Sequence, residues 1–195
     1  MKPLFISWNT PDEWYVSQAL RLQESLIKFE LEYDARCSEN SGGWAGGCFF
    51  KAHFILLMLD EHPERNIVWL DADAQIVQYP ALLDSIETDI AYVRNGNKEV
   101  VASMLYFKNN EASRSLIRDW IQANEMFPDN RAADQENLGR LIDALEQAGV
   151  ITSTQLPASY CYEDGITQEK TVPVIYQWIA SRIGKHLEEW KGVVP

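Results

Sequence analysis

A chain of 195 residues, 46% of them hydrophobic, is long enough to fold around one apolar core, so we expect a single domain over residues 1–195. The formal charge of -12, from 29 acidic and 17 basic residues, disfavours duplex DNA as a partner without excluding it. The same charge repels phosphates, so any nucleotide ligand would need a metal cation or clustered basic side chains.

The cysteine pattern and the apolar runs bear on the location of the protein. Cys37, Cys48 and Cys161 have neither CxxC spacing nor a Cys/His ligand pattern, so we expect neither a disulfide framework nor a zinc site. The longest apolar run, at residues 54–59, is far shorter than a membrane span, and residues 1–9 do not resemble a signal peptide. We therefore expect a cytoplasmic protein.

The first predicted unit is a strand followed by a helix. Residues 4–8 are an apolar run of β-prone side chains, which predicts a strand. The sequence Thr10-Pro11-Asp12-Glu13 then predicts a capping box with Thr10 as the N-cap. Helical spacing of apolar side chains continues to about residue 29, and residues 30–33 are predicted to return as a second strand.

The middle of the chain contains the one segment that is dense in glycine. Residues 40–47 are predicted to be a loop, because glycine is common where the backbone is irregular and mobile. A helical pattern follows over residues 48–62. Residues 67–70 are then a continuous apolar run, which is typical of a strand buried on both faces.

The rest of the chain continues to alternate strands and helices. The predicted elements are a short helix from Pro80, strands at 89–94 and 100–107, helices near 111–125 and 133–148 with Gly149 ending the second, short strands at 150–156 and 172–175, and a final helical piece over 178–187. Such alternation predicts an α/β fold with a mostly parallel central sheet and helices on both faces. Ligands of such sheets bind beyond the carboxyl ends of the strands.

The sequence Asp71-Ala72-Asp73 follows the buried strand directly. Residues i and i+2 of an extended chain point to the same side, so both carboxylates can face one ligand. A hard cation such as Mg²⁺ or Mn²⁺ would relieve their mutual repulsion and also accept pyrophosphate oxygens. The alternative is that the two aspartates only cap a turn in solvent.

The surroundings of this motif resemble a known family. Residues 66–73, with Lys51 on the preceding helix and Tyr79-Pro80 after the motif, resemble the DxD region of nucleotide-diphospho-sugar transferases of the GT-A fold. The resemblance extends over most of the chain through short pieces in the same order: Phe5-Ile6-Ser7, Thr10, Tyr15, Trp44, Lys51, Ala133-Asp134-Gln135, Ile175-Tyr176-Gln177 and Ala180-Ser181-Arg182. It implies a single GT-A-like, Rossmann-like domain that transfers a sugar from a nucleotide-diphosphate donor, a UDP-sugar being favoured, with Mn²⁺ or Mg²⁺ as cofactor.

The resemblance also implies a donor-binding site and a metal site. The donor would be bound by Thr10, Tyr15, Trp44, Lys51, Asp71, Ala72, Asp73, Gln177 and Arg182, and the metal by Asp71 and Asp73. Structural roles remain open beside these: a helix cap for Thr10, a half-buried ring for Tyr15, a surface ring for Trp44 and a solvated cation for Lys51. The third metal ligand is undecided between Gln177 and His186.

Asp134 and Gln135 are the predicted catalytic residues, because in similar transferases such a pair reaches the donor sugar near its anomeric carbon. There a carboxylate and an amide would stabilise developing positive charge. The alternative is an acid that complements a helix dipole. Glu163 and Asp164, in a loop with Gly165, are reserve candidates for a general base.

Other function classes remain open. A DxD motif after four apolar residues also occurs in haloacid-dehalogenase-like phosphatases, but there it lies on the first strand, and Gln75 stands where that family usually has Thr or Val. A nucleotidyltransferase and a non-catalytic sugar-nucleotide-binding subunit are the further alternatives. For a transferase, the acceptor could be a saccharide, a lipid-linked glycan, a protein or a modified nucleobase.

Overall fold

The structure is a computed structural model that describes residues 2–39, 43–96, 99–126, 133–164, 167 and 170–178. In chain order, the elements are β1 (Leu4–Asn9), α1 (Glu13–Lys28), β2 (Tyr33–Cys37), α2 (Gly43–Glu61), β3 (Ile67–Leu70), β4 (Ala74–Ile76), β5 (Ile90–Arg94), β6 (Val100–Phe107), α3 (Glu111–Met126), α4 (Ala133–Gln147), β7 (Ser153–Gln155), β8 (Tyr162–Glu163) and β9 (Ile175–Gln177). Short 3₁₀ turns lie at Ala81–Ser85 and Ala158–Cys161.

A six-stranded sheet with the strand order β2-β1-β3-β6-β5-β7 forms the centre of the fold. The pairs β1–β2, β1–β3 and β5–β7 are parallel, whereas β6 is antiparallel to both β3 and β5. Five of these six strands therefore run in one direction and β6 alone runs in the other. The predicted mostly parallel α/β fold is confirmed.

The strand β3 shows how the two faces of the sheet are filled. All four of its residues are buried, and they alternate between two apolar cores. Ile67 and Trp69 pack on the side of α2, α3 and α4, while Val68 and Leu70 pack on the side of α1 and the second sheet. Each such side chain contributes about 1.5–3 kcal/mol of stability on burial. Helices therefore cover both faces, as predicted.

The second sheet has three strands, in the order β4-β9-β8, and follows residues 71–73 directly. Its strands alternate sharply between a core face and an outer face. The inner side chains are buried against the α1 side of the central sheet: Ala74, Ile76, Ile175 and Gln177. The outer face carries Gln75 and Tyr176, which are paired in register, and Tyr162, which pairs with Tyr176.

The prediction that Thr10 is the N-cap of α1 is wrong. Asp12 occupies that position, and its carboxylate accepts a hydrogen bond from the backbone N–H of Tyr15 at 3.0 Å. The Thr10 hydroxyl donates to the Asp12 carboxylate instead. Aspartate is at least as good an N-cap as threonine, so the helix begins at Glu13 and leaves Pro11 outside it.

Two boundaries near the ends of α1 and α2 also differ from prediction. The second strand lies at Tyr33–Cys37, because the chain after α1 first closes the helix: Glu30 has a φ of 52° and the N–H of Leu31 donates to the Leu26 carbonyl. The helix α2 begins at Gly43, so residues 43–47, predicted as loop, are helical. The first turns of α2 thus include Gly43, Gly46 and Gly47, although glycine has a low helix propensity.

Smaller shifts affect the last strands. β7 is confined to Ser153–Gln155, and β9 lies at Ile175–Gln177, later than the predicted 172–175. The predicted final helix over 178–187 lies outside the described residues, apart from its first residue. Among the helices that the structure describes, none combines the length and the apolar character that a bilayer crossing requires.

One glycine inside α4 and another just after its end allow a matched test of the helix end. Gly149, predicted to end this helix, has a φ of 70°, which disfavours any residue with a Cβ, although the space around it is open. Gly139→Ala would instead place its methyl group in ordinary contact with Val100, at 3.6 Å, inside the helix. Gly149→Ala should lower the free energy of unfolding by about 1 kcal/mol, and Gly139→Ala should raise it by up to about 1 kcal/mol.

Urea denaturation of the two variants beside the parent protein measures both changes. If Gly149→Ala is as stable as the parent, the left-handed backbone at this position does not constrain the sequence.

Candidate functional site

A cavity of about 660 Å³ opens at the carboxyl ends of β1 and β3. Ligands of sheets like this one bind at such an edge. The described residues that line the cavity come from the end of β1, the start of α1, the segment after β2, the helix α2 and the end of β3: Trp8, Asn9, Thr10, Pro11, Asp12, Tyr15, Glu39, Gly47, Cys48, Lys51, Trp69, Asp71, Ala72 and Asp73. Six predicted donor-site residues are in this set, and they meet at one place although they come from three separate segments of the chain.

Lys51 lies at the base of this region and is only 8% exposed. Its Nζ lies 3.1 Å from Oδ1 of Asp71 and 3.7 Å from Oδ2 of Asp134, and it donates a hydrogen bond of 3.1 Å to the carbonyl of Ala102. We call Lys51, Asp71 and Asp134 the lysine cluster. It joins α2, the end of β3 and the start of α4, and thus links the predicted metal site to the predicted catalytic carboxylate.

Burial and charge act in opposite directions on the lysine cluster. Burial lowers the pKa of Lys51, but the carboxylates of Asp71 and Asp134 outweigh it and hold that pKa above its ordinary value. Burial raises the pKa of Asp134, although the Lys51 ammonium opposes the shift. Lys51 therefore stays protonated, whereas burial makes the carboxylate of Asp134 easier to protonate than that of an exposed aspartate.

The side chain of Asp71 is held by two donors. Besides Lys51, the indole N–H of Trp69 donates to its Oδ1 at 2.9 Å, and Oδ2 takes part in neither contact. Its backbone N–H donates to the carbonyl of Ser103 on β6, at 3.0 Å. Trp69 is itself fixed edge-on against Phe54 of α2. Asp71 is therefore oriented before any ligand arrives.

The start of α4 is held by hydrogen bonds to two neighbouring elements, α3 and β6. The carbonyl of Asp134 accepts a hydrogen bond of 2.6 Å from the buried indole N–H of Trp120. The side-chain oxygen of Gln135 accepts one of 3.2 Å from the backbone N–H of Ala102. Neither residue lines the described part of the cavity, so Asp134 is joined to it through Lys51.

The chemistry of Asp71 and Asp73 fits a divalent metal. Both side chains line the cavity and offer carboxylate oxygens, the ligands that Mg²⁺ and Mn²⁺ prefer. Within the described ranges, three possible ligand atoms come within 4.8 Å of one another only in a separate group formed by Asp34, Glu61 and His62. Two carboxylates are nevertheless sufficient for a metal whose remaining ligands are water and substrate phosphates.

Tyr15 connects α1 to the acidic end of the cavity. Burial raises the pKa of its hydroxyl to about 12, and the charges of Asp73 and Asp12 add to this effect. The hydroxyl therefore remains protonated and able to donate a hydrogen bond at neutral pH. The cavity also has an aromatic lining beside its carboxylates, from the rings of Tyr15, Trp8 and Trp69.

Gln177, another predicted donor-site residue, is not among the described residues that line the cavity. Gln177 is 2% exposed on the inner face of the second sheet; its amide N–H donates to the Ser103 carbonyl at 3.4 Å, and its Oε1 has no hydrogen-bond partner. The side chain of Trp44 and the whole of Arg182 and His186 lie outside the described residues. Their predicted roles remain predictions.

Several cavity residues were not predicted from the sequence. Trp8 and Asn9 end β1, and Cys48 lies one helical turn before Lys51. The position of Trp8 and Asn9 at the carboxyl end of a strand was a usable signal, because ligands gather at such ends. Cys48 carried no comparable signal, since a cysteine on an apolar helix is usually a packing residue.

Comparisons with known proteins show a similarity of fold but not of sequence. No family model matches the sequence, and no curated protein sequence matches it. A glycosyltransferase involved in the glycosylation of the major capsid of PBCV-1 has a TM-score of 0.72 and 10% identity over 97% of this chain and 100% of that chain. This chain has a glycosyltransferase fold.

Two structures of the glycosyltransferase GlyE from Streptococcus pneumoniae TIGR4 give the same result. The apo form has a TM-score of 0.66 and 15% identity over 92% of this chain. The second has a TM-score of 0.65 and 14% identity over 91% of this chain. This chain covers 55% of the GlyE chain in both cases. The predicted GT-A-like fold is thus confirmed.

The lysine cluster makes a prediction about stability and pH. Lys51→Met keeps the length and apolar stem of the side chain but leaves Asp134 buried without its cation, so it should lower the free energy of unfolding by about 3–5 kcal/mol at pH 7. Losing the ammonium raises the pKa of Asp134 further in the folded state. Protonation then relieves the folded state as the pH falls, so the loss should be smaller at pH 5.

Urea denaturation at both pH values measures the effect. The double variant Lys51→Met/Asp134→Asn should recover part of the stability lost at pH 7, because it removes the unpaired charge as well. An equal loss at both pH values, with no recovery in the double variant, would show that Lys51 stabilises the fold only through packing.

Proposed function

We propose that this protein is a metal-dependent glycosyltransferase that transfers a sugar from a nucleotide-diphosphate donor, with a UDP-sugar as the favoured donor. The observation that carries the proposal is the position of Asp71 and Asp73: they lie in the cavity at the carboxyl ends of β1 and β3, within a glycosyltransferase fold. The volume of about 660 Å³ suits a small-molecule ligand.

The lining of the cavity offers groups for both parts of a nucleotide diphosphate. We assign the nucleoside to Trp8 and Tyr15, whose rings offer stacking surface and a hydroxyl donor. The diphosphate would lie against Asp71 and Asp73, which would hold Mn²⁺ or Mg²⁺. The metal would neutralise the charge of the diphosphate leaving group. This explains how so acidic a chain could bind an anion.

The lysine cluster sets what this chain's own residues do in that reaction. Lys51 was predicted to contact the donor phosphates, and its ammonium already engages Asp71, Asp134 and the Ala102 carbonyl. We propose that it acts mainly by holding Asp71 and Asp134 close together. Asp134, with Gln135, would then face the donor sugar, where a carboxylate stabilises positive charge at the reacting carbon.

The competing functions differ in their products. A transferase releases nucleoside diphosphate slowly from a nucleotide-sugar even without an acceptor. A nucleotidyltransferase releases pyrophosphate from a triphosphate, a phosphatase releases inorganic phosphate from a phosphomonoester, and a binding subunit releases none of these. Phosphorus NMR of each mixture with diamagnetic Mg²⁺, or with Mn²⁺ that is removed on a chelating resin before the spectrum, separates the four cases. We also propose a cytoplasmic location, as expected from the cysteine pattern.

Calorimetry with UDP tests the metal role. The affinity for UDP should fall at least tenfold when excess chelator replaces Mn²⁺, because the acidic chain otherwise repels the diphosphate. Asp73→Asn should weaken UDP binding in Mn²⁺ and raise the Mn²⁺ concentration needed for it, since the change removes a metal ligand. The control Glu64→Gln alters the net charge equally at an exposed site outside the cavity and should bind like the parent.

Equal affinity for UDP with Mn²⁺ and with chelator would overturn the metal role. An equal loss in Asp73→Asn and Glu64→Gln would attribute the effect to net charge instead.

Asp134→Asn tests the catalytic assignment by separating binding from chemistry. The amide keeps nearly the same shape and removes a charge that burial already disfavours, so folding should survive. If the carboxylate stabilises the reacting centre, release of UDP from the UDP-sugar should slow by roughly a hundredfold or more while donor affinity stays within a few-fold. Asp143→Asn, on the same helix but exposed and paired with Arg94, is the matched control and should keep the parent rate.

A rate for Asp134→Asn within threefold of the parent would show that Asp134 only supports the start of α4. The reacting carboxylate would then be sought at Glu163 or Asp164.

A further inference from the structure

Three aromatic side chains form a continuous row on the outer face of the second sheet. The ring centroids of Tyr162 and Tyr176 are 5.9 Å apart, and those of Tyr176 and Trp178 are 4.8 Å apart. We call these three residues the aromatic row. Trp178 is 39% exposed, and both tyrosines are partly exposed. The ring planes are tilted by 33° between Tyr162 and Tyr176 and by 55° between Tyr176 and Trp178, so the row is a connected platform of tilted rings.

The core of the protein does not account for this platform. The inner face of the same strands supplies the buried side chains, among them Ile76, Ile175 and Gln177. The aromatic row faces the other way, where strand alternation normally places polar residues. Cross-strand pairing of Tyr162 with Tyr176 contributes to the sheet, but it gives no reason for Trp178 to extend the row beyond the strand.

The aromatic row is connected to the wall of the cavity through Asp73. The backbone N–H of Trp178 donates to the carbonyl of Asp73 at 3.1 Å, and its indole N–H donates to the side chain of Gln75 at 3.0 Å. Asp73 also lines the cavity. On the side of α1, the guanidinium of Arg21 lies 4.5 Å from the centre of the Trp178 ring. One end of the row is therefore fixed beside the predicted metal site.

Polar groups accompany the rings along this surface. In the middle of the row, the hydroxyl of Tyr176 donates to the carboxylate of Asp164, and this hydrogen bond, more than burial, raises the pKa of Tyr176 to about 12. The tyrosine thus stays neutral at physiological pH. Gln75, beside Trp178, contributes an amide that both donates and accepts hydrogen bonds.

We propose that the aromatic row binds the acceptor of the transfer reaction and that this acceptor is a neutral saccharide. The inference rests on the proposed glycosyltransferase function, since it names the second substrate of the same site. A sugar ring has a face of C–H groups, which carry slight positive charge and fit the negative faces of aromatic rings. Its rim of hydroxyls requires hydrogen-bonding partners, which Asp164 and Gln75 supply.

Charge further narrows the class of acceptor. The rings are flanked by Asp164 and lie next to Asp73, and these carboxylates outnumber the Arg21 guanidinium against Trp178, in a chain of net charge -12. Nucleic acid or another polyanion would be repelled at this surface, whereas an uncharged saccharide loses nothing by approaching it. The row is long enough for more than one ring contact, so an oligosaccharide suits it better than a monosaccharide.

Saturation-transfer NMR with three neutral trisaccharides, namely maltotriose, cellotriose and N-acetylated chitotriose, tests the proposal. At least one should bind the parent protein at millimolar concentration or below. Tyr176→Ala should weaken that binding at least tenfold, and Tyr162→Ala should also weaken it. Tyr176→Phe, which keeps the ring and loses the hydroxyl, should retain binding within threefold. The control Leu57→Ala removes a similarly exposed apolar side chain from α2 and should bind like the parent.

Failure to bind any of the three sugars would overturn the inference, as would binding that is unaffected by Tyr176→Ala. Sedimentation at the same concentrations covers a different occupant: a dimer that Tyr176→Ala dissociates would assign the row to a second copy of the chain and also overturn the inference. A melting temperature measured for each variant excludes unfolding as the cause of lost binding.

The calorimetric experiment with UDP separates this inference from the proposed function. If UDP binds with Mn²⁺ and no trisaccharide binds, the donor site stands and the acceptor assignment falls. If a trisaccharide binds to the row and UDP does not bind, the surface recognises sugars but the transferase proposal fails.

Discussion

A buried ammonium group is stable only where anions and hydrogen-bond acceptors surround it, because its removal from water costs several kcal/mol. Lys51 meets this requirement with one carboxylate from the end of β3, a second from the start of α4 and a backbone carbonyl from β6. Four elements must therefore meet at a single nitrogen atom, with its two carboxylate oxygens and its carbonyl oxygen within 3.7 Å. The geometry of the candidate site depends on this condition, since Asp71 and Asp134 are both fixed by it.

The charges around Lys51 do not cancel. One cation faces two carboxylates, and Asp73 adds a third at the cavity wall. The excess negative charge is a reason for a divalent cation to enter, and a bound cation would in turn make the site attractive to a diphosphate. Burial raises the pKa of both Tyr15 and Asp134, and the neighbouring carboxylates add to each shift. Binding and catalysis in the proposed reaction thus draw on one electrostatic arrangement.

Local patterns in the sequence predicted much of the fold but little of this arrangement. The apolar run of β3 and the helical periodicity of α3 and α4 are strong local signals, and the structure has these elements where they were predicted. The choice between Thr10 and Asp12 as the cap of α1 was not resolvable locally, because both residue types cap helices well. Residues 43–47 are helical although glycine has a low helix propensity, so their local sequence did not predict the start of α2. The pairing of Lys51 with Asp134 was invisible, since no sequence spacing encodes a contact between α2 and α4.

The contacts that β6 makes on either side join distant parts of the chain, and this has a consequence for how the site forms during folding. Lys51 reaches Ala102 across 51 residues, and Ala102 reaches Gln135 across a further 33, so the site consists of contacts between distant parts of the chain. Closing such large loops is slow, and a chain lacking any one segment cannot form the remaining contacts. A nascent chain on the ribosome, or a fragment ending before α4, would therefore contain Asp71 and Asp73 without the neighbour that completes their surroundings. We therefore expect ligand binding at this site to report the folding of nearly the whole domain, and partly synthesised chains not to compete for the ligand.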